Sequence, residues 1–287
     1  MYCEYFGFTE KPFTITPNPQ FIFLSSSHRE AFAHLVYGID THAGFIAMIG
    51  EVGTGKTTLL RTLLAQLDPE KYRRALIFNP CLSGEQLLAG ICREFCVEAA
   101  EKNSFGYLDA LNSFLLEQHS AGRTVVLVID EAQNLAPEVL EQIRMISNLE
   151  TEQDKLIQII LAGQPELNDI LGRHDLRQLS QRITVRCRLT AMGLQDTGDY
   201  IKHRLKISGC RIPELFSKGA VKRIYRFSKG IPRLINVGCE QSLVMAWTRD
   251  SLIVSPAIAT SVIAGFQPAA GHRGLLKRML AWLFAGK

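Results

Sequence analysis

Two apolar spacings alternate through the first two thirds of the chain. "GFIAMIG", residues 44–50, is a short apolar run with strand character. Val125 to Ile129, inside "RTVVLVIDEAQN", reads as a strand buried on both faces of a parallel sheet. "RRALIFNP" ends a strand near Asn79, "KLIQIILAG" gives one from Lys155 to Gly163, and "RITVRCRL" a last one from Arg182 to Leu189. Between these runs the period becomes helical. Leu59, Leu60, Leu63, Leu64 and Leu67 follow the first strand, and further helices span about Ser83 to Cys96 and Phe105 to His119. Pro137, suited to a first helical turn, precedes "EVLEQIRMISNL". Strands alternating with helices predict an α/β fold, a parallel sheet sandwiched between helices.

From about Met192 the strands stop. "DTGDYIKHRLKIS", "SKGAVKRIYRFSKG" and "IPRLINVGCEQSLVMAW" are helical, with Ser217 as a cap for the second and Pro232 starting the third. The pattern therefore predicts an α/β domain over residues 1–190 and a small all-helical lid over 191–266. Residues 267–287 form a linker, "QPAAGHRG", and a short amphipathic helix. On that last helix Leu275, Leu276, Met279, Leu280, Trp282 and Leu283 share a face opposite Lys277 and Arg278. It is too short for the ~30 Å hydrocarbon core. Three readings stay open: contact of 275–284 with a membrane surface, docking on a partner, or folding back onto the lid.

Candidate chemistry sits where strand turns to helix. "GEVGTGKTTLL" meets the pattern G-x-x-x-x-G-K-[ST] through Gly50, Gly55, Lys56 and Thr57. Glycines let backbone N–H groups turn in around phosphates, and the helix N-terminus adds partial positive charge. Residues Gly50, Glu51, Val52, Gly53, Thr54, Gly55, Lys56, Thr57 and Thr58 are the expected cradle, Lys56 supplying a full charge and Thr57 a hydroxyl for Mg²⁺. Asp130 and Glu131 end the buried strand. A first carboxylate there can hold Mg²⁺, and the next can orient and polarise the attacking water. No N-K-x-D motif supports guanine, so the expected cofactors are ATP and Mg²⁺.

Composition alters this little. Hydrophobic residues at 47% and charged residues at 21% are ordinary for a soluble globular chain, and a net charge of +4 permits an acidic partner without demanding one. Seven scattered cysteines without a C-x-x-C pair argue against a zinc site or disulfide framework. The N-terminus lacks the basic start and apolar run of a signal peptide, so the expected location is the cytoplasm, extending to the inner face of the inner membrane through the tail.

Taken together, "FGFTEKPFTITPNPQFIFLSSSHREAFAHLVYGI", "GFIAMIGEVGTGKTT", "LVIDEAQNL", "LAGQPEL", "LRQLSQRI" and "GIPRLIN" resemble AAA+ ATPases of the ExeA, or general secretion pathway protein A, family. The likeness covers about residues 1 to 250. It implies that Gln164 senses the γ-phosphate, that Arg233 of the lid is a second sensor, and that Arg182, or failing it Arg177, is an arginine finger offered to a neighbouring subunit. It implies too that the segment Phe13 to Pro19, with His28 and Arg29, helps form the adenine pocket. Phe13 reads equally well as a cap on the core. "DEAQ" evokes a helicase box, against which the motif spacing and the helical lid argue. Longer members continue through a membrane span into a periplasmic domain, whereas this sequence ends at Lys287. A stand-alone ATPase or a piece of a longer protein is expected.

The resemblance implies an ATPase that oligomerises and serves envelope assembly: type II secretion, a pilus-like system or polysaccharide export, through an unidentified protein partner. The alternative is a DNA-transaction ATPase. Its support is a basic strip from Arg173 to Arg211, with Arg173, Arg177, Arg182, Arg186, Arg188, Lys202, Arg204, Lys206 and Arg211 against Asp175, Asp196 and Asp199. Aromatic residues for stacking are scarce there, and nucleic acid is the less favoured partner.

Overall fold

A computed structural model describes residues 2–15, 19–78, 83–149 and 155–266. They form two units, an α/β unit over 19–192 and a helical unit joining residues 2–15 to 193–266.

The α/β unit holds five strands: β1 (Phe45–Gly50), β2 (Tyr72–Ile77), β3 (Thr124–Ile129), β4 (Ile157–Gly163) and β5 (Ile183–Leu189). Their order is β2-β3-β4-β1-β5, all parallel. The three central strands are buried almost throughout, while edge strand β5 alternates buried and exposed residues. Buried central strands are why β1, β3 and β4 are apolar runs in sequence, broken in β4 only by Gln158, whose Oε1 accepts from the Gly44 N–H at 2.7 Å. Side chains of one strand face opposite ways. Val125, Leu127 and Ile129 join the core beneath one set of helices, and Val126 and Val128 join the other core.

Seven helices cover this sheet: α2 (Ser26–Asp40), α3 (Lys56–Gln66), α4 (Gly84–Glu94), α5 (Ser104–Ser120), α6 (Pro137–Ile146), α7 (Glu166–Leu171) and α8 (Arg177–Arg182). Ala31, Leu35 and Ile39 of α2 lie with Leu59, Leu60 and Leu63 of α3 in one core. Residues of α4 to α8 fill the other. Gly38 lets α2 approach the sheet closely, since a Cβ there would meet Ile46 at 2.6 Å. The strand register sets Ile49 beside Gly163 and Ile129 beside Leu161. The residues after β1, β3 and β4 thus emerge at one carboxyl edge, where open parallel sheets bind ligands.

The helical unit contains α1 (Tyr2–Phe6), α9 (Leu194–Ile207), α10 (Lys218–Ser228), α11 (Pro232–Thr248) and α12 (Pro256–Phe266). Ser217 caps α10 by accepting from the Ala220 N–H, and Pro232 occupies the first turn of α11, as the sequence predicts. Residues 2–15 were expected with the sheet, but their contacts run to these helices. Tyr2 Oη donates to Glu240 Oε1 at 2.6 Å, and the Thr9 N–H donates to Ser208 O. Arg204, 6% exposed, donates through Nε to Pro12 O at 2.6 Å and through Nη1 to Tyr200 Oη. The expected boundary therefore shifts: the aromatic residues Tyr2, Phe6, Phe8 and Phe13 complete the helical core.

Candidate active site

β1 delivers the chain into a tight loop, and α3 begins at Lys56. Gly53 and Gly55 adopt φ of 78° and 103°, backbone that favours glycine. A Cβ on Gly50 would lie 2.8 Å from Leu189 O. Inside the loop Thr54 Oγ1 donates to Glu51 O at 2.8 Å. Glu51 and Val52 are exposed, and Thr58 is half-buried.

His28 fastens the loop from below. It is buried, with Nε2 3.0 Å from Thr54 O and Nδ1 2.6 Å from Ser25 Oγ. A carbonyl only accepts, so Nε2 carries the proton and Nδ1 accepts from the serine hydroxyl. The adenine-pocket role given to His28 by resemblance is thus joined by a contact to the phosphate loop itself.

Lys56 is 5% exposed and donates from Nζ to Gly50 O at 2.7 Å and Glu51 O at 3.2 Å. Burial lowers its pKa, against the opposing pull of Glu131, Asp130 and Glu51. Thr57 Oγ1 donates to Asp130 Oδ2 at 2.5 Å. Two motifs separated by 73 residues therefore meet at one point.

Asp130 is 1% exposed, and its Oδ1 accepts from the Glu131 N–H at 2.9 Å. Glu131 takes a left-handed backbone, φ 55°. Its Oε2 accepts from Gln133 Nε2 at 2.6 Å and from Gln164 Nε2 at 3.0 Å. Gln133 Oε1 in turn accepts from the Gln164 N–H at 3.1 Å. Burial pushes the Glu131 carboxyl upward, but the two amide donors and Lys56 outweigh it and hold the pKa below the ordinary value. A carboxylate ionised at neutral pH can accept a proton from water.

The oxygen donors suit a hard cation. Thr57 and Asp130 offer one hydroxyl and one carboxylate, and among the described residues no group of three His, Cys, Asp or Glu side chains could enclose a metal. Mg²⁺ prefers few protein ligands, completing its octahedron with phosphate oxygens and water. The pair fits that ion.

The other expected residues lie on further elements of the two units. Arg182 is half-buried at the end of α8, with Nη1 3.1 Å from Ser147 Oγ. Arg177 opens the same helix, exposed and without a side-chain partner among the described residues. Arg233 is exposed in the first turn of α11, in the helical unit. Phe13 is 1% exposed there, its ring edge-on to Phe216 at 5.8 Å, a packing position that leaves no open face for a base. The tail, including 275–284, lies outside the described residues.

Gln133 was not singled out from the sequence, although "DEAQ" contains it. The only signal for it is its place two residues after Glu131, the expected base, in a one-turn helix over Ala132–Asn134. Part of the basic strip from Arg173 to Arg211 is engaged within its own unit. Arg173 pairs with Asp175 at 2.8 Å, Arg186 donates to Ser180, and Arg204 is turned inward. The strip is also divided between the two units.

A family model described as "AAA domain" matches residues 39–171. The chain is 46% identical over 252 residues to General secretion pathway protein A of Aeromonas hydrophila, covering 88% of this chain and 46% of that protein. It thus spans about half the length of this relative. Among solved structures, Cdc6p of Pyrobaculum aerophilum matches with a TM-score of 0.66 at 17% identity, over 85% of this chain and 69% of that one. The ORC2 protein of Aeropyrum pernix, in its ADPNP-ADP complexes, matches at 0.63 and 15%, over 87% and 72%. RuvB of Thermotoga maritima, a Holliday junction branch migration motor, matches at 0.58 and 16%, over 84% and 70%. These three likenesses concern the fold.

Proposed function

We propose that this chain, an ATPase of the AAA+ class by its AAA domain and P-loop fold, performs Mg²⁺-dependent hydrolysis of ATP that is completed by self-association and drives assembly of a bacterial envelope system. The observation that carries the chemistry is the meeting of Thr57 with Asp130 beside a Glu131 carboxylate held by two amides. In this reading the loop from Gly50 to Thr58 cradles the phosphates and Lys56 exchanges its loop carbonyls for phosphate oxygens. Thr57 and Asp130 hold the cation, which neutralises charge on the phosphates. Glu131 takes the proton of the attacking water, while Gln164 and Gln133 keep its carboxylate aimed.

Arg182 or Arg177 serves a neighbouring subunit's site, and Arg233 links the lid to nucleotide state. The process rests on the Aeromonas relative, whose name ties it to the general secretion pathway. Among the described residues no helix is long and apolar enough to cross a membrane.

The test compares phosphate release and nucleotide binding. Lys56→Ala should lose ATP binding, and Glu131→Gln should bind ATP as wild type yet fall at least a hundredfold in turnover, about 2.7 kcal/mol of barrier. Hydrolysis by Glu131→Gln at the wild-type rate would remove Glu131 from the base role.

A further inference from the structure

The helical unit contains a cavity that the nucleotide chemistry does not use. It measures about 680 Å³ and opens between α9 and α10. Its floor is apolar, built from Ile201 and Leu205 of α9 with Leu215 and Phe216 from the segment before α10. Leu194, Ile212 and Val221 add partly exposed apolar surface around it. Each lip carries a lysine pair four residues apart: Lys202 and Lys206 on α9, Lys218 and Lys222 on α10. Four residues along a helix is about 6 Å, so each pair forms a short row. All four are exposed, and none of their ammonium groups has a hydrogen-bond or ion-pair partner among the described residues. Against them the groove offers only Asp199 and Glu214.

We propose that this groove docks an acidic amphipathic helix of a partner protein. A helix can lay an apolar stripe into a groove through residues spaced i, i+3, i+4 and i+7. The placement of charge then selects among occupants. Positive rows on both lips call for negative residues on both flanks of the stripe, which a helix supplies by placing Glu or Asp beside its anchors. A fatty acyl anion carries one head group and can answer only one point of the rim. The chain's own tail is also the wrong sign: residues 267–287 include Arg273, Lys277, Arg278 and Lys287 and no acidic residue. The groove lies within the helical unit, so the proposal does not depend on the hydrolysis reading.

The experiment uses the full chain and three labelled synthetic helices of about four turns. One has a leucine stripe flanked by glutamates, one the same stripe flanked by lysines, and one the glutamates with the stripe replaced by serines. Fluorescence anisotropy should show the acidic leucine helix binding at least about tenfold more tightly than either control, since several exposed charge pairs together amount to one such factor. The quadruple variant Lys202→Glu, Lys206→Glu, Lys218→Glu, Lys222→Glu changes only exposed residues and should reverse the preference towards the lysine-flanked helix. Circular dichroism and retained ATP turnover check that this variant is folded.

Equal affinity for the three helices overturns the proposal, and so does an unreversed preference in a folded variant. Sedimentation with phosphatidylglycerol vesicles supplies the remaining arm. If wild type co-sediments, the charge-reversed variant does not, and no helix binds, the surface meets lipid and the partner-helix proposal is rejected.

Discussion

Gln133 Nε2 lies 2.6 Å from Glu131 Oε2, and the other end of the same amide accepts from the backbone N–H of Gln164. One glutamine thus ties the proposed base to the strand end where the γ-phosphate sensor is expected. Any shift of Gln164 towards phosphate would alter both amides that hold Glu131. Gln133→Ala removes one hydrogen bond to a charged group, about 1.5–3 kcal/mol. A steady-state assay should find turnover reduced roughly tenfold to a hundredfold, with ATP affinity little changed. Unaltered turnover would make the contact incidental.

The same contact predicts a pH dependence. Burial raises the Glu131 pKa, and Gln164, Gln133 and Lys56 together lower it below the ordinary ~4.3. A base works deprotonated, so activity is lost as pH falls through that pKa. Removing both amides leaves burial less opposed, and the pKa must rise. The double variant Gln133→Ala, Gln164→Ala should therefore show an acid limb displaced to higher pH than wild type. Parallel profiles would mean the amides do not tune Glu131.

Gly163 ends β4 between these groups. A Cβ there would lie 2.9 Å from Gln133 Oε1 and 2.8 Å from Leu167 Cδ2. Gly163→Ala should therefore push Gln133 off Glu131. The expected result is a turnover loss resembling that of Gln133→Ala, and little further loss when the two are combined, because residues sharing one network are not additive. Multiplicative losses would place the effect of Gly163→Ala elsewhere.

How much of this was legible in the sequence depended on the range of each signal. Central strands β1, β3 and β4 are buried on both faces, so their apolar runs declared themselves, and Pro137, Ser217 and Pro232 marked helix starts as expected. The loop and Asp130-Glu131 could each be singled out because each motif is contiguous in sequence, whereas the meeting of Thr57 with Asp130 across 73 residues is seen only in the structure. The helix over Ser26–Asp40 went unread, although Ala31, Leu35 and Ile39 carry a helical period. The attachment of residues 2–15 to the helical unit was not legible. It depends on Arg204 bonding Pro12, a pairing across 192 residues with no periodic trace. Gln133 was hidden for the same reason, since its importance comes from Gln164, 31 residues away.

His28 predicts a division between binding and stability. Its imidazole links Ser25 to Thr54 O beneath the loop, and a Cβ on Gly55 would stand 3.1 Å from Nε2. His28→Ala leaves the buried Thr54 carbonyl without that donor, a cost of about 1–3 kcal/mol. Equilibrium titration should show ATP affinity falling about tenfold, with the melting temperature lowered by several degrees at most. Affinity at the wild-type level would mean that the loop keeps its shape without the histidine.

The arginine finger yields the last prediction, and it separates two residues that the sequence left as alternatives. A finger acts on a neighbour's nucleotide, so the site is complete only between subunits. Specific activity should then rise with protein concentration. Arg177 is exposed and unpartnered among the described residues, whereas Arg182 is half-buried against Ser147. These surroundings favour Arg177 for a reach across a subunit boundary and Arg182 for holding α8 near Ser147. Each arginine variant is inactive alone if it is the finger, yet its nucleotide loop is intact. Lys56→Ala has the opposite defect. Mixing Arg177→Ala with Lys56→Ala should restore part of the activity, while Arg182→Ala should show mainly a lowered melting temperature. Restoration only in the Arg182→Ala mixture would reverse the assignment. Flat specific activity across a dilution series, with no restoration in either mixture, would remove the shared site altogether.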